Sequence, residues 1–447
     1  MHSIYSTNIF NYGKIIFIFS FLLNIKCNLI VIPFIIKDIP KKQNQQYIYS
    51  SIEMGEPPNK INSIINFSNS LFYFGNEPTI NLTTNSYISS NSNSFNLISS
   101  IKDSSFPYDL KNIISEKLYF CTDIDCNNKN SYILSPILYP DININEKIFP
   151  IIDLQITNEN KSFNFIHILK AKNIINNYYW TIKFKDLSNG NIIIGDLPHN
   201  YEKNNNLFKE KNLKLINTYS KQNKIFWGIQ FSAIKFAHIT MTDLMLGKLE
   251  PKILEIFGSY EYIIKIEEIF FKKYKDDGIC RRIFDELNGE DVFRFTCDKN
   301  LFNKTDINLF PNLTLINVEL NYSFILTGEE LFMEKDDKIN FMIVSKVGLT
   351  EGHWDLGRIF LHKYQFVMDN DNNLIGIYKE SGEQEEKQLS PKKNYLTIII
   401  ILIIVLGLIF IAIGVILALI KKNLCKNRKK RLSELDDDFM YLTKDKE

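Results

Sequence analysis

The chain has 447 residues, of which 45% are hydrophobic and 13% aromatic, with 52 Lys plus Arg set against 51 Asp plus Glu. That length is a prior for two to three domains, and the apolar share supports a sizeable core, which excludes wholesale disorder. A net charge of +1 offers no basic field for nucleic acid, and six Cys in so long a chain exclude a small disulfide scaffold.

Taken in chain order, the first feature is Lys14 followed by a nine-residue run over 15–23 that is apolar except for Ser20. That run is too short for a hydrocarbon core of about 30 Å. A positive region before a short apolar stretch reads as a secretory signal peptide, here residues 1–28. Lys26 and Asn28 are not the usual small residues, so the cleavage point is undefined. A first strand is expected over 30–36. Short β-rich runs follow at 61–65, 179–184, 191–194, 227–231, 313–318 and 366–368. Turns are expected at Gly55-Glu56-Pro57-Pro58 and at Asn189-Gly190. Helical spacing is best over 163–173 and 263–274. The region is expected to be all-β, mainly β with minor helices.

After a polar linker at 381–394, residues 395–420 carry no charge at all. At 1.5 Å per residue this segment reaches about 39 Å, enough to span a membrane with tilt. Tyr395 suits one interface, and Lys421, Lys422, Lys426, Arg428, Lys429, Lys430 and Arg431 crowd the other. The basic flank puts the 421–447 tail in the cytosol. The expected topology is one transmembrane helix, with an N-terminal region in the lumen of the secretory pathway or at the cell surface. The near-zero net charge is then an average. The tail holds nine basic and six acidic residues, two lysines precede residue 29, and residues 29–420 are left at −4.

Topology also sorts the cysteines. Cys27 leaves with the signal peptide, and Cys425 lies in the cytosol. Cys121, Cys126, Cys280 and Cys297 remain in the oxidising compartment, where three pairings are open and local pairing is the simplest. A loop like that between Cys280 and Cys297 contributes about 3 kcal/mol in the chain-entropy model. Glycosylation sequons stand at Asn66, Asn81, Asn160, Asn303, Asn312 and Asn321.

Several motifs come in a telling order. Tyr49 to Pro58 reads Tyr-Ser-Ser-Ile-Glu-Met-Gly-Glu-Pro-Pro. Ser188 to Asp196 reads Ser-Asn-Gly-Asn-Ile-Ile-Ile-Gly-Asp, and Phe226-Trp227-Gly228-Ile229 follows. Phe310 to Leu315 reads Phe-Pro-Asn-Leu-Thr-Leu. Trp354-Asp355-Leu356-Gly357-Arg358-Ile359-Phe360, Tyr364, Val367-Met368-Asp369 and Leu374-Ile375-Gly376 close the series. In order and spacing this resembles the pepsin family of aspartic proteases. The resemblance implies a bilobal pepsin-like aspartic protease fold, with lobes at 29–175 and 176–380 facing each other across a peptide-binding cleft. It also places Cys280 and Cys297 where that family carries its last disulfide.

The same resemblance implies two catalytic carboxylates sharing one proton, because like charges about 3 Å apart cannot both ionise. Each is delivered by an Asp-Thr-Gly turn. Eight residues after Pro58, where the first Asp belongs, stands Asn66 in Ile64-Ile65-Asn66-Phe67-Ser68. Aligning Gly258 with the second glycine puts Ile256 at the other Asp position, and Phe67 and Phe257 replace both Thr. The exchange suggests an apolar fill of the lobe junction that needs no catalytic water. Glu255, next to Ile256, turns to the opposite face of an extended strand. Asp153, in Ile151-Ile152-Asp153-Leu154, reads as a surface or turn carboxylate, and the flap Tyr has no assignable position.

Other chemistries find no pattern. The six His make no zinc spacing, so no metal site is expected. No Gly-x-Ser-x-Gly elbow and no phosphate loop occur, so no cofactor is expected. The expectation is a catalytically inactive pseudoprotease that binds a peptide or protein ligand in its cleft. The alternatives are an active membrane-anchored aspartic endopeptidase, which requires a different dyad, and a purely structural surface protein.

Overall fold

The computed structural model describes residues 29–38, 46–67, 92–100, 110–140, 151–154, 161–221, 224–242, 244–287, 290–346 and 352–379. The chain divides after Ser381, and everything described lies before that point. The expected signal peptide, the 395–420 span, the tail, Cys27, Cys425, Asn81 and Asn160 lie outside the described residues. Among the described residues no helix is long and apolar enough to cross a membrane.

The architecture is mostly β, and its first sheet has 12 strands. Strand Ile30–Asp38 is its pivot. It pairs antiparallel with Gln46–Met54 on one side and with Asn189–Ile194 on the other. Ile30, Ile32 and Phe34 are buried while Pro33 and Ile35 are exposed, the two-residue alternation of a sheet with one face on the core. Beyond Asn189–Ile194 the sheet continues through Tyr179–Asp186, Phe366–Asp369 and Leu374–Tyr378 to Leu213–Asn217. The last strands of the described chain therefore return to the sheet that the first strand begins.

Residues between those ends build a nine-stranded and a four-stranded sheet. Among the described residues parallel pairing occurs at three places: Asn59–Asn66 with Ile151–Asp153, Met245–Leu249 with His353–Leu356, and Ile256–Gly258 with Ile343–Lys346. Parallel strands are usually covered on both faces, and Ile64, Ile65, Ile152, Ile256, Phe257, Ile343 and Val344 are all buried. Phenylalanines fill the core beneath these sheets, continuous with that of the first sheet. Phe271 stacks on Phe295 at 4.5 Å, and Phe310 meets Phe332 edge-on at 4.8 Å. Both local disulfides form, Cys121 with Cys126 and Cys280 with Cys297. The second joins directly opposed residues of Cys280–Leu287 and Glu290–Asp298.

The expected strands are present, with shifted ends. The expected helix at 163–173 is Phe165–Ala171, started by Asn164, whose Oδ1 accepts from the backbone N–H of Ile166 and His167. The second runs longer than expected, from Tyr260 to Asp276, with a π-helical turn over Glu267–Phe271. Glu267 is buried there between Lys275 and Arg282.

Two expectations are corrected. Asn189-Gly190 is not the turn; the turn is Leu187-Ser188, and Asn189–Ile194 is already strand. Gly190 is needed there for close approach, since a Cβ would stand 2.4 Å from the Lys183 carbonyl oxygen and 2.8 Å from Phe34. Asp153 is not a surface or turn residue. It ends strand Ile151–Asp153 and is 0% exposed, because that strand lies against Asn59–Asn66 inside the sheet.

Gly190→Ala is expected to destabilise by about 1–3 kcal/mol, the usual cost of overpacking. A lowered urea midpoint at unchanged slope would show it; an unchanged midpoint would contradict the close approach.

Candidate functional site at the junction of the sheets

Asn66 closes its strand with its backbone aligned on Asp153. Its carbonyl oxygen accepts from Leu154 N at 3.1 Å, which fixes the two strand ends together. Its side chain is held from two directions. Oδ1 accepts from the backbone N–H of Phe67 at 3.0 Å and from the Lys252 ammonium at 2.6 Å. Asn66 is only 5% exposed, so its sequon gives an oligosaccharide no room. Asn303, Asn312 and Asn321 are exposed.

Ile256 begins strand Ile256–Gly258 and is fully buried. It lies opposite Ile343 in the parallel neighbour and Leu356 in the antiparallel one, and its N–H donates to Met342 O at 2.9 Å. The group that meets Asn66 from this side is Lys252, four residues earlier. The expected apolar fill of the junction is therefore corrected: an ammonium enters it, and Asp153 is buried beside it.

Lys252 is mostly buried, and desolvation pushes its pKa below that of an ordinary lysine. Glu250 and Asp153 pull the other way, and Lys248 adds to the lowering. Glu250 is itself bound to Lys248 at 2.8 Å. Among the described residues the Lys252 ammonium makes one hydrogen bond and no ion pair.

Arg358 braces the segment that carries Lys252. The residue is 3% exposed, and its guanidinium donates to the Lys252 carbonyl oxygen at 2.9 Å and to Gln46 Oε1 at 2.6 Å. A C-terminal cation thus reaches the first strand pair. Glu255 is buried as well. Its closest charged partner is Arg294 at 3.8 Å, and burial raises its pKa against the pull of Arg294 and Arg358. That agrees with Glu255 facing away from Asn66.

Aromatic rings wall the junction. Phe67 stacks on Trp180 at 5.9 Å, and Trp180 meets Trp227 edge-on at 5.5 Å. Trp227 Nε1–H donates to Leu154 O at 3.2 Å, and Trp180 Nε1–H donates to Asn370 Oδ1 at 2.9 Å. With Lys248, Tyr364 and Phe366 the three rings bound a cavity of about 20 Å³, room for one water. Phe257, the other replacement for a hydroxyl residue, packs in a separate cluster with Ile253, Val292 and Val344.

Sequence reasoning located Asn66, Ile256, Phe67, Phe257 and the four bonded cysteines. It missed Lys252 and Gln46, and gave Arg358, which stands within the closing motif, no contact or role. Nothing in Leu249-Glu250-Pro251-Lys252 marks that lysine, which gains its place only when two sheets meet.

No family model matches the chain, and no curated protein matches it. Among solved structures the fold is similar to conglutin gamma, a basic 7S globulin from lupine seeds, at a TM-score of 0.55 and 13% identity, covering 80% of this chain and 96% of that one. At that identity the likeness is one of fold alone.

Burial of Lys252 sets a pH dependence. Its folded pKa lies below the unfolded value, so the unfolded chain binds the extra proton between the two and stability rises with pH across that window. Wild type is expected to gain stability relative to Lys252→Met as pH climbs from 7 toward the ordinary lysine range near 10.4. Urea midpoints of both proteins along that series check this; a constant difference would contradict it.

Proposed function

We propose that this chain is a membrane-anchored, pepsin-like protein that does not hydrolyse peptides and instead binds a peptide or protein segment in its cleft. In this reading it works in the secretory pathway or at the cell surface. The pepsin-like motifs from Tyr49 to Gly376 support the fold half of the reading, as does the fold likeness to conglutin gamma. The uncharged 395–420 segment with its basic flank supports the anchor, and two disulfides suit an oxidising compartment.

One observation carries the loss of hydrolysis: Lys252 Nζ sits 2.6 Å from Asn66 Oδ1, while Ile256 is buried among apolar side chains. An aspartic mechanism requires one ionised and one protonated carboxyl around a water. An amide, a hydrocarbon and an ammonium supply neither the base nor the acid of that pair. The competing reading, an active endopeptidase, has two buried carboxylates to draw on, Asp153 and Glu255. Glu255 is engaged with Arg294, and Asp153 holds a backbone position opposite Asn66.

The full chain in detergent is expected to leave a fluorogenic peptide library uncut at pH 3–6. Cleavage that a transition-state inhibitor of aspartic proteases abolishes, and that Asp153→Asn or Glu255→Gln removes, would overturn the proposal in favour of the endopeptidase.

A further inference from the structure

We infer that the Lys252 ammonium, seated on the Asn66 carboxamide, is an anchor for a carboxylate, so that the ligand of the cleft is an acidic peptide. The inference rests on the cleft-binding reading above and names its ligand class. An ammonium has three N–H donors. Asn66 Oδ1 takes one at 2.6 Å, and among the described residues no carboxylate forms an ion pair with the group. The nearest acidic residue in sequence, Glu250, is held by Lys248 at 2.8 Å. Asn66 Oδ1 is a neutral acceptor that also receives the Phe67 N–H, so it orients the cation without neutralising it.

Asp153, buried nearby, and Glu250 attract the cation without reaching ion-pair distance, and a mostly buried cation with no carboxylate in direct contact is costly to keep. The surroundings make it firm as well as costly. Arg358 pins the Lys252 carbonyl, and Trp227 ties the opposite sheet to the same corner through Leu154. As a residue Lys252 keeps intermediate exposure. A charge held in place, part-desolvated and short of its counter-ion favours an anionic oxygen over a neutral one, since a charge-assisted hydrogen bond is roughly twice as strong as a neutral one. If the ligand is a peptide, as the proposed function has it, that oxygen comes from a Glu or Asp side chain.

The test uses the full-length protein in lipid nanodiscs. Its probes are two fluorescent decapeptide pools, acetylated and amidated at their ends, one with Glu and one with Gln fixed at the centre. Binding is read by anisotropy, and acetylation of Lys252 by a succinimidyl ester is read by mass spectrometry. The Glu pool is expected to bind about tenfold tighter or more and to slow Lys252 acetylation, while the Gln pool does not slow it. Lys252→Met is expected to bind both pools equally, and Lys252→Arg to keep the preference. Equal binding of both pools by wild type, with acetylation of Lys252 unchanged, would overturn the anchor and leave cleft binding standing. Failure of both pools to bind would overturn cleft binding and the anchor with it. If Lys252→Met does not fold, Lys252→Arg and the acetylation readout on wild type still decide.

Discussion

The hydrogen bond from Lys252 Nζ to Asn66 Oδ1 spans the point where the two sheet systems meet, and the chain path makes that meeting obligatory. Strands Phe366–Asp369 and Leu374–Tyr378 come back to the sheet opened by Ile30–Asp38. Everything between those ends is held against the first sheet by its own continuation. Trp180 and Trp227 then fill the corner, each donating its indole N–H to a buried oxygen. With rings on one side and Arg358 on the other, Lys252 has little choice of position. An ammonium stands on the Asn66 carboxamide at that corner.

The chemical consequence follows from charge. A carboxyl pair holds a water and passes protons; a lone ammonium on an amide oxygen attracts an anion and passes nothing at neutral pH. Its burial works against stability, as its lowered pKa indicates. Asp153, buried one strand away, moderates the field at that point without forming the pair that hydrolysis requires.

Much of this was legible in the sequence, for identifiable reasons. Strands such as Tyr179–Asp186 and Asn189–Ile194 announce themselves by apolar runs between turn residues, and the disulfides by short cysteine spacings. Asn66 was singled out by its distance from Pro58 and Ile256 by its spacing to Gly258, which lies not in a turn but in strand Ile256–Gly258. The turn at Leu187-Ser188 was misplaced because Gly190 has a second use, making room for the Lys183 carbonyl. Asp153 was misread because a carboxylate without a local motif looks like surface, and its burial comes from the parallel partner that lies far away in sequence. The contacts of Lys252, Arg358 and Gln46 were invisible for the same reason. Their contacts span 186 residues for Lys252 and Asn66 and 312 for Arg358 and Gln46, and no local pattern encodes such a distance.

The most direct measurement compares two ligands by calorimetry: a peptide with a secondary alcohol at the scissile position, as in transition-state inhibitors of aspartic proteases, and its deoxy analogue. In a working dyad the alcohol replaces the catalytic water and gains affinity from both carboxyls, so the two ligands differ greatly. With Asn66, Ile256 and Lys252 at the junction, the two are expected to bind with affinities within a few-fold of each other. Binding of the alcohol about 100-fold tighter would contradict the account.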